Sequence, residues 1–398
     1  MSESTFLDLG VSAPVVEALA RRSIHSPFAI QTLALPDALA GRDVLACSQT
    51  GSGKTIAFGI PIVERVNPVK ARISALVLVP TRELASQVAE ELADLARAKG
   101  LNVAAVYGGV PIPDQARRAA RAHILVATPG RLEDLANRGS VRLDSVRVLV
   151  LDEADRMLDM GFQPQVDRIV ARLPKERQTM FFSATLDGAV AGMARNYTSD
   201  PCRHEIASST HTVDEAEHRF VPVPNGDKVE ALLRLLGEKR ELALIFVRTK
   251  RGADRLVEKL TAKGVGAAAM HGGMTQSARE RALSRFSSGR IDALVATDVA
   301  ARGLDLDSIS HVINFDPPED DRAYVHRVGR TARAGRTGTG VTLVLPDQAG
   351  DVSRIAARLQ LHEEFEQEGM KVAPPRVVFR THTGRRSMFG KRPPSRRV

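Results

Sequence analysis

Short apolar runs recur along the chain, with room for a helix between each pair. The first series covers residues 44–47, 75–79, 103–107, 124–127, 148–151 and 180–182. Stretches with helical periodicity, such as 83–98 and 164–173, separate them. Continuous apolar runs predict strands buried on both faces, as in a parallel sheet covered by helices. Their alternation with helices predicts a doubly wound α/β sheet. The pattern breaks near residues 207–218, where Ser208-Ser209-Thr210-His211-Thr212 is polar and lacks an apolar face. A second series follows at 243–247, 265–270, 293–296, 312–315 and 341–345, with helical patterns such as 251–263 and 277–286 between. The expected organisation is an α/β domain over 1–207, a linker over 208–218, a second α/β domain over 219–360 and a tail over 361–398.

Composition fills in this outline. With 43% hydrophobic residues, a chain of 398 residues can build real cores. It has no Trp and only 4% aromatic residues, so Ala, Val and Leu must fill them. Cys47 and Cys202 offer no disulfide framework and no metal-ligand spacing, and they fit a reducing cytosol. The start, Met1-Ser2-Glu3-Ser4, has no basic region followed by an apolar core, so no signal peptide is expected. No apolar run approaches membrane-spanning length, so the expectation is a cytoplasmic protein with no membrane partner. Net charge is +9, and its location matters. Residues 371–398 hold nine Lys/Arg and no Asp/Glu, while the rest of the chain holds 47 of each sign. The tail, rich in Arg and Pro, reads as disordered and polyanion-seeking.

Two segments carry the chemistry. Ser48-Gln49-Thr50-Gly51-Ser52-Gly53-Lys54-Thr55 follows the first predicted strand and precedes an apolar helix pattern. That is the context a P-loop requires. Its glycines let backbone amides turn toward phosphate oxygens, and the helix N-terminus adds a favourable dipole. Lys54 is a point charge for the outer phosphates, and the Thr55 hydroxyl can ligate Mg²⁺. Ser48 stands where the simplest P-loop pattern has Gly, and a small residue there is tolerable. The second segment, Asp152-Glu153-Ala154-Asp155, closes the run 148–151. Carboxylates at the carboxyl end of a buried parallel strand lie where open α/β sheets bind ligands. A plain helix start is the alternative, because acidic residues favour first turns. The P-loop favours the chemical reading: Asp152 for the metal, Glu153 for the attacking water, and ATP as substrate.

With both segments in hand, the chain closely resembles the DEAD-box RNA helicases, bacterial members above all, from about Phe6 to Gly335. The family motifs appear in order. They are Phe6 with Pro27-Phe28-Ala29-Ile30-Gln31, the P-loop, Pro80-Thr81-Arg82-Glu83-Leu84-Ala85, Gly108-Gly109, Thr128-Pro129-Gly130-Arg131, the acidic tetrad and Ser183-Ala184-Thr185. The second half supplies Ile245-Phe246-Val247-Arg248-Thr249, His271-Gly272-Gly273, then Ala296-Thr297-Asp298 through Arg302-Gly303-Leu304-Asp305. It closes with His326-Arg327-Val328-Gly329-Arg330-Thr331-Ala332-Arg333. Ser23 and Ile24 stand where many members have Gly and an aromatic, and Ala332 replaces a common Gly.

The resemblance implies two tandem RecA-like domains and an ATP-dependent RNA helicase using Mg²⁺. It assigns catalysis to Lys54, Asp152, Glu153, Arg330 and Arg333, with the metal on Thr55 and Asp152. ATP binding falls to Phe6, Gln31, Gln49, Thr50, Gly51, Ser52, Gly53, Lys54, Thr55, Gly303 and Asp305. Gln31 would read the adenine edge, because an amide both donates and accepts, and Phe6 would stack on the base. RNA contacts are expected from Thr81, Arg82, Gly109, Thr128 and Arg131, then Arg248, Gly272, Arg279 and Thr297. Asp155, Ser183, Thr185 and His326 would couple the domains. Arg, Thr and backbone amides suit sugar-phosphate contact without base readout, so single-stranded and duplex RNA are the expected partners. Ribosomal and mRNA-decay complexes are candidate settings.

Rival readings are an ATP-dependent RNA clamp or ribonucleoprotein assembly platform, a DNA translocase on the same paired core, and a nucleotide-binding protein without catalysis. The Gln31 motif and the wording of the acidic tetrad argue against the second, and the full set of catalytic residues against the third. Deleting residues 371–398 should weaken RNA binding and flatten its salt dependence, since each phosphate contact on a single strand contributes a slope of roughly 0.7. Binding isotherms across a salt series would show it, and an unchanged slope would make the tail a bystander.

Overall fold

The computed structural model describes residues 4–48, 52–69, 72–186, 188–206, 216–237, 241–301, 309–331, 337–367 and 369–371. Its strands are β1 (Val44–Cys47), β2 (Ala75–Leu78), β3 (Val103–Val106), β4 (Ile124–Ala127), β5 (Val148–Asp152), β6 (Gln178–Ser183) and β7 (Cys202–Glu205) in the first half. The second half has β8 (Ala216–Pro222), β9 (Leu242–Phe246), β10 (Ala267–Met270), β11 (Ala293–Ala296), β12 (Ile309–Asn314) and β13 (Gly338–Val344). They form two sheets, ordered β3-β4-β2-β5-β6-β1-β7 and β10-β11-β9-β12-β13-β8. Every pairing in both sheets is parallel. The central strands β2, β4, β5 and β6 are buried along their whole length, as their unbroken apolar runs require.

Each sheet has a core on both faces. One face of the first sheet packs under the helices Ala29–Leu39, Lys54–Arg65 and Arg82–Ala98, where Phe58 meets Phe182 edge-on at 5.2 Å. Gly59 lets two of these helices cross closely: a Cβ there would come within 2.4 Å of Leu92 Cδ2. The other face gathers Leu76, Leu125, Leu149 and Phe181.

Register places the motifs. Asp152 on β5 pairs with Phe182 on β6, and Cys47 on β1 pairs with Ser183. Backbone bonding continues past the strand end, where Ser48 N–H donates to the Ser183 carbonyl at 3.0 Å. The phosphate loop, the acidic tetrad and Ser183-Ala184-Thr185 therefore leave adjacent strands at one sheet edge. In the second sheet Met270, Ala296, Phe246 and Asn314 align in the same way, so the segments after them emerge together.

The elements depart from the expected boundaries at three places. β7 and β8 were not among the predicted strands. Both are edge strands with alternating burial and polar residues, so they show no continuous apolar run. Ala216, Glu217 and His218 belong to β8 rather than to a linker over 208–218, whose other residues lie outside the described ones. The second domain does not stop at residue 360. The helix His362–Gln367 follows, and Phe365, fully buried, packs edge-on against Phe220 at 5.3 Å. Residues 372–398, most of the expected tail, lie outside the described residues.

This packing yields a test of the boundary. Truncation after Gln360 should destabilise the second domain by at least the about 3–5 kcal/mol that a buried Phe→Ala change costs. Truncation after Lys371 should leave it unchanged. Thermal unfolding of the two truncated proteins, monitored in parallel, distinguishes them.

Candidate active site at the facing edges of two sheets

The phosphate loop enters its helix through Gly53, whose φ of 83° is left-handed and suits glycine. Lys54 is buried and its Nζ donates to the Ser48 carbonyl at 3.0 Å, so it lies along the loop. Ser52 Oγ donates to Ser48 Oγ at 2.9 Å, a use for the hydroxyl that replaces the more usual glycine. Gln31, 1% exposed, bridges two segments: its Oε1 accepts from Phe28 N–H and its Nε2 donates to the Gly53 carbonyl, both at 2.9 Å. These two bonds fix the buried Gln31 amide between the turn at Phe28 and the phosphate loop. Gln49, Thr50 and Gly51 lie outside the described residues, as do Gly303, Asp305 and Arg333.

Phe6 departs from its expected role. Its ring is 1% exposed within the apolar core with Val11, Val15 and Leu19, which leaves no open face for stacking on a base. Phe28 has the exposure that Phe6 lacks, 59%, and its ring borders Gly53. Its place beside Gln31 in the motif was the available signal.

Asp152 and Glu153 are both buried. Burial pushes the Asp152 carboxyl up to about 7; Lys54 opposes this and the Glu153 charge reinforces it. The Asp152 carboxylate and the Thr55 hydroxyl, one residue past Lys54, are hard-oxygen donors of the kind Mg²⁺ takes. Burial would raise Glu153 too, but Arg156, Lys54 and Arg330 outweigh it and hold this carboxyl below its usual range. Arg156 NH1 donates to Glu153 Oε2 at 2.6 Å, and both side chains are buried. Arg156 escaped the sequence reading, although its i+3 spacing from Glu153 was visible. Glu153 itself sits at φ 53°, a left-handed turn between strand and helix.

Three of the residues expected to couple the domains, Asp155, Ser183 and Thr185, meet here. Ser183 Oγ accepts long bonds, 3.4 Å each, from Asp155 N–H and Thr185 N–H. The field at Glu153 includes Arg330, a residue of the second domain that is itself buried. Arg330 follows the helix Asp321–Val328, which also carries His326. Arg327 anchors that helix. Its guanidinium makes a bidentate pair with Asp298 at 2.6 and 2.7 Å, donates to Asn314 Oδ1 and the Asp316 carbonyl, and lies 4.9 Å from the Phe246 ring centre.

The expected RNA-contact residues flank the junction. In the first domain, Thr81 caps the helix Arg82–Ala98 by accepting from Leu84 N–H, and Thr128 is buried at the next strand end. Gly109, at φ 82°, lies under the Arg82 guanidinium so closely that a Cβ would fall 2.0 Å from NH1. Arg131 NH1 donates to the Val110 carbonyl and to Gln115 Oε1. In the second domain, Arg248 and Gly272 are exposed and Thr297 is buried. Arg279 instead meets the first domain, where its NH2 lies 3.0 Å from Glu83 Oε1 and both side chains are 9% exposed. Gln276 Nε2 reaches the same carboxylate at 3.5 Å.

Fold and site together define a P-loop nucleotide hydrolase whose active site is shared between two parallel-sheet domains. Comparison with known proteins narrows this. The DEAD/DEAH box helicase family model matches residues 28–192, and the helicase conserved C-terminal domain model matches residues 227–335. The DEAD-box ATP-dependent RNA helicase CshA of Geobacillus kaustophilus is 44% identical over 354 residues, 88% of this chain and 76% of that protein. CshA of Bacillus subtilis is 43% identical, over 86% of this chain and 70% of its own. The structure of S. cerevisiae Dbp5 bound to RNA and ADP BeF3 superposes with a TM-score of 0.80 at 31% identity, covering 94% of this chain and 96% of that one. The chain belongs to the DEAD-box ATP-dependent RNA helicase family.

Two substitutions probe the shared site. Glu153→Gln should abolish ATP turnover while nucleotide binding persists, because Gln cannot take a proton from water. Arg330→Ala should lower turnover by roughly 10³–10⁵, the range for arginine fingers, with little change in nucleotide affinity. Steady-state hydrolysis beside equilibrium titration with a fluorescent nucleotide reads both effects.

Proposed function

We propose that this protein is an RNA-dependent ATPase that opens RNA duplexes locally, without reading their sequence. The observation that carries this reading is the charge arrangement across the domain junction. The first-domain carboxylate Glu153 lies in the field of the second-domain Arg330, and the buried pair Glu83–Arg279 joins the same two domains. Chemistry and domain closure are thus one event.

The proposed roles follow from the geometry. Gln31 links base recognition to the phosphate loop through Gly53. Lys54 and the helix N-terminus beside it meet the phosphate oxygens. Thr55 and Asp152 would hold Mg²⁺, which when bound neutralises charge on the phosphates. Glu153, with Oε2 held by Arg156, takes the proton of the attacking water on Oε1. Arg330 stabilises the charge that develops on the transferred group, with Arg333 as its proposed companion. Asp155, Ser183, Thr185 and His326 relay closure between the sites.

RNA lies across both domains in this reading, against Thr81, Arg82, Gly109, Thr128 and Arg131 on one side and Arg248, Gly272 and Thr297 on the other. Closure joins Arg279 to Glu83 beside that track. Because ATP and RNA both favour the closed pair, each raises the affinity for the other by the same factor. Ribosomal particles and mRNA-decay assemblies are the proposed settings, and the cytoplasm the proposed location. Backbone-directed contacts and the cationic tail support partners that are themselves rich in RNA.

Adding single-stranded RNA should raise ATP turnover well above its basal value, whereas DNA of the same sequence should not; equal rates in all three conditions would overturn the reading. Arg279→Glu and Glu83→Arg should each reduce RNA stimulation, since breaking a buried ion pair costs about 3–5 kcal/mol. Combining the two should restore part of it.

A further inference from the structure

Strand β7 carries Cys202 and His204 two residues apart. Alternate strand residues share a face. Both are partly covered, while Arg203 and Glu205 between and beyond them are exposed. Their face looks onto Asp37, in the helix Ala29–Leu39. His204 Nε2 lies 2.9 Å from Asp37 Oδ2, and the Cys202 sulfur lies within 4.8 Å of the same carboxylate. Arg42 NH1 holds the other oxygen, Oδ1, at 3.1 Å, which fixes the direction in which Oδ2 points. One sulfur, one imidazole nitrogen and one carboxylate oxygen therefore converge, all within 4.8 Å of one another. Nothing in the ATP or RNA chemistry uses them.

We propose that Asp37, Cys202 and His204 form a binding site for a divalent transition metal, Zn²⁺ by its chemistry. Tetrahedral zinc with bonds of 2.0–2.3 Å sets its ligand atoms about 3.3–3.8 Å apart. To reach that spacing the 2.9 Å His204–Asp37 contact would open slightly, while the trio as a whole already lies within 4.8 Å. A thiolate and an imidazole select for zinc and against Mg²⁺ and Ca²⁺, which take oxygen. Thiolate and carboxylate together neutralise the cation's two charges, and three protein ligands leave the fourth position to water. Cysteine spacing along the chain could not reveal the site, because the third ligand stands 165 residues before the first of the other two.

The position gives the metal a role. β7 pairs only with β1 among the described strands, and β1 runs directly into the phosphate loop. The helix bearing Asp37 begins at the turn that carries Phe28 and Gln31. The bound ion would fasten the open edge of the first sheet to the helix that reads the base.

The test uses the full-length protein without a polyhistidine tag, stripped by a chelator and titrated with Co²⁺ and then Zn²⁺ in the absence of nucleotide. One equivalent of Co²⁺ should bind and give a sulfur-to-cobalt charge-transfer band that Zn²⁺ removes. Cys202→Ser should lose the band, and Cys47→Ala should keep it. His204→Ala and Asp37→Asn should weaken Zn²⁺ binding by more than the roughly 10–100-fold that outer-shell partners are worth. Circular dichroism of each variant without metal checks that it is folded. Absence of stoichiometric binding, equal binding by folded variants, or a band that follows Cys47 instead would each overturn the proposal.

Discussion

Uniform strand direction is the constraint on which this molecule rests. In a sheet where every strand runs the same way, all carboxyl ends fall on one edge, and the crossover helices are pushed to the faces. The apolar runs that make the strands possible therefore also decide where the polar residues after them must go. Asp152, Ser48 and Ser183 become neighbours because three adjacent strands end level with one another. The second sheet repeats the device, and the two edges supply one site.

The site works through charges that are left incompletely balanced. Asp152 is buried, and burial lifts its carboxyl above the usual range although Lys54 opposes this. Glu153 has the opposite environment, ringed by Arg156, Lys54 and Arg330, and it stays ionised. Adjacent carboxylates thus have their acidities pushed apart by their surroundings, a recurring way of separating acid, base and metal-binding roles. Arg330 follows a helix that Arg327 fixes from behind, through bonds to Asp298, Asn314 and Asp316 that tie segments of the second domain together.

Much of this was legible in the sequence, for a physical reason. Strands buried on both faces write themselves as unbroken apolar runs, so the central strands could be read almost to the residue. β7 and β8 could not, because an edge strand has one wet side and its pattern dissolves into the surrounding polar residues. The phosphate loop and the acidic tetrad were readable because their chemistry demands fixed residue types at fixed spacing. Phe6 was not, since a core aromatic and a stacking aromatic look alike until burial is known. The Glu83–Arg279 contact was equally hidden, because nothing local in a helical arginine reveals which domain will meet it. The extent of the second domain was misjudged because Phe365 is a single aromatic in an otherwise polar stretch.

The left-handed backbone at Glu153 has a consequence for how this protein can change. That conformation costs a non-glycine residue about 1–2 kcal/mol, and the turn between β5 and its helix requires it. Glycine would relieve the backbone but would strand the buried Arg156 and remove the base proposed for the attacking water. Aspartate would tolerate the turn better but falls one methylene short of Arg156. The backbone, the ion pair and the reaction thus rank the possible residues in three different orders. Glutamate heads the last two, and because breaking the buried pair costs about 3–5 kcal/mol against about 1–2 kcal/mol of backbone strain, selection for stability alone would also retain it.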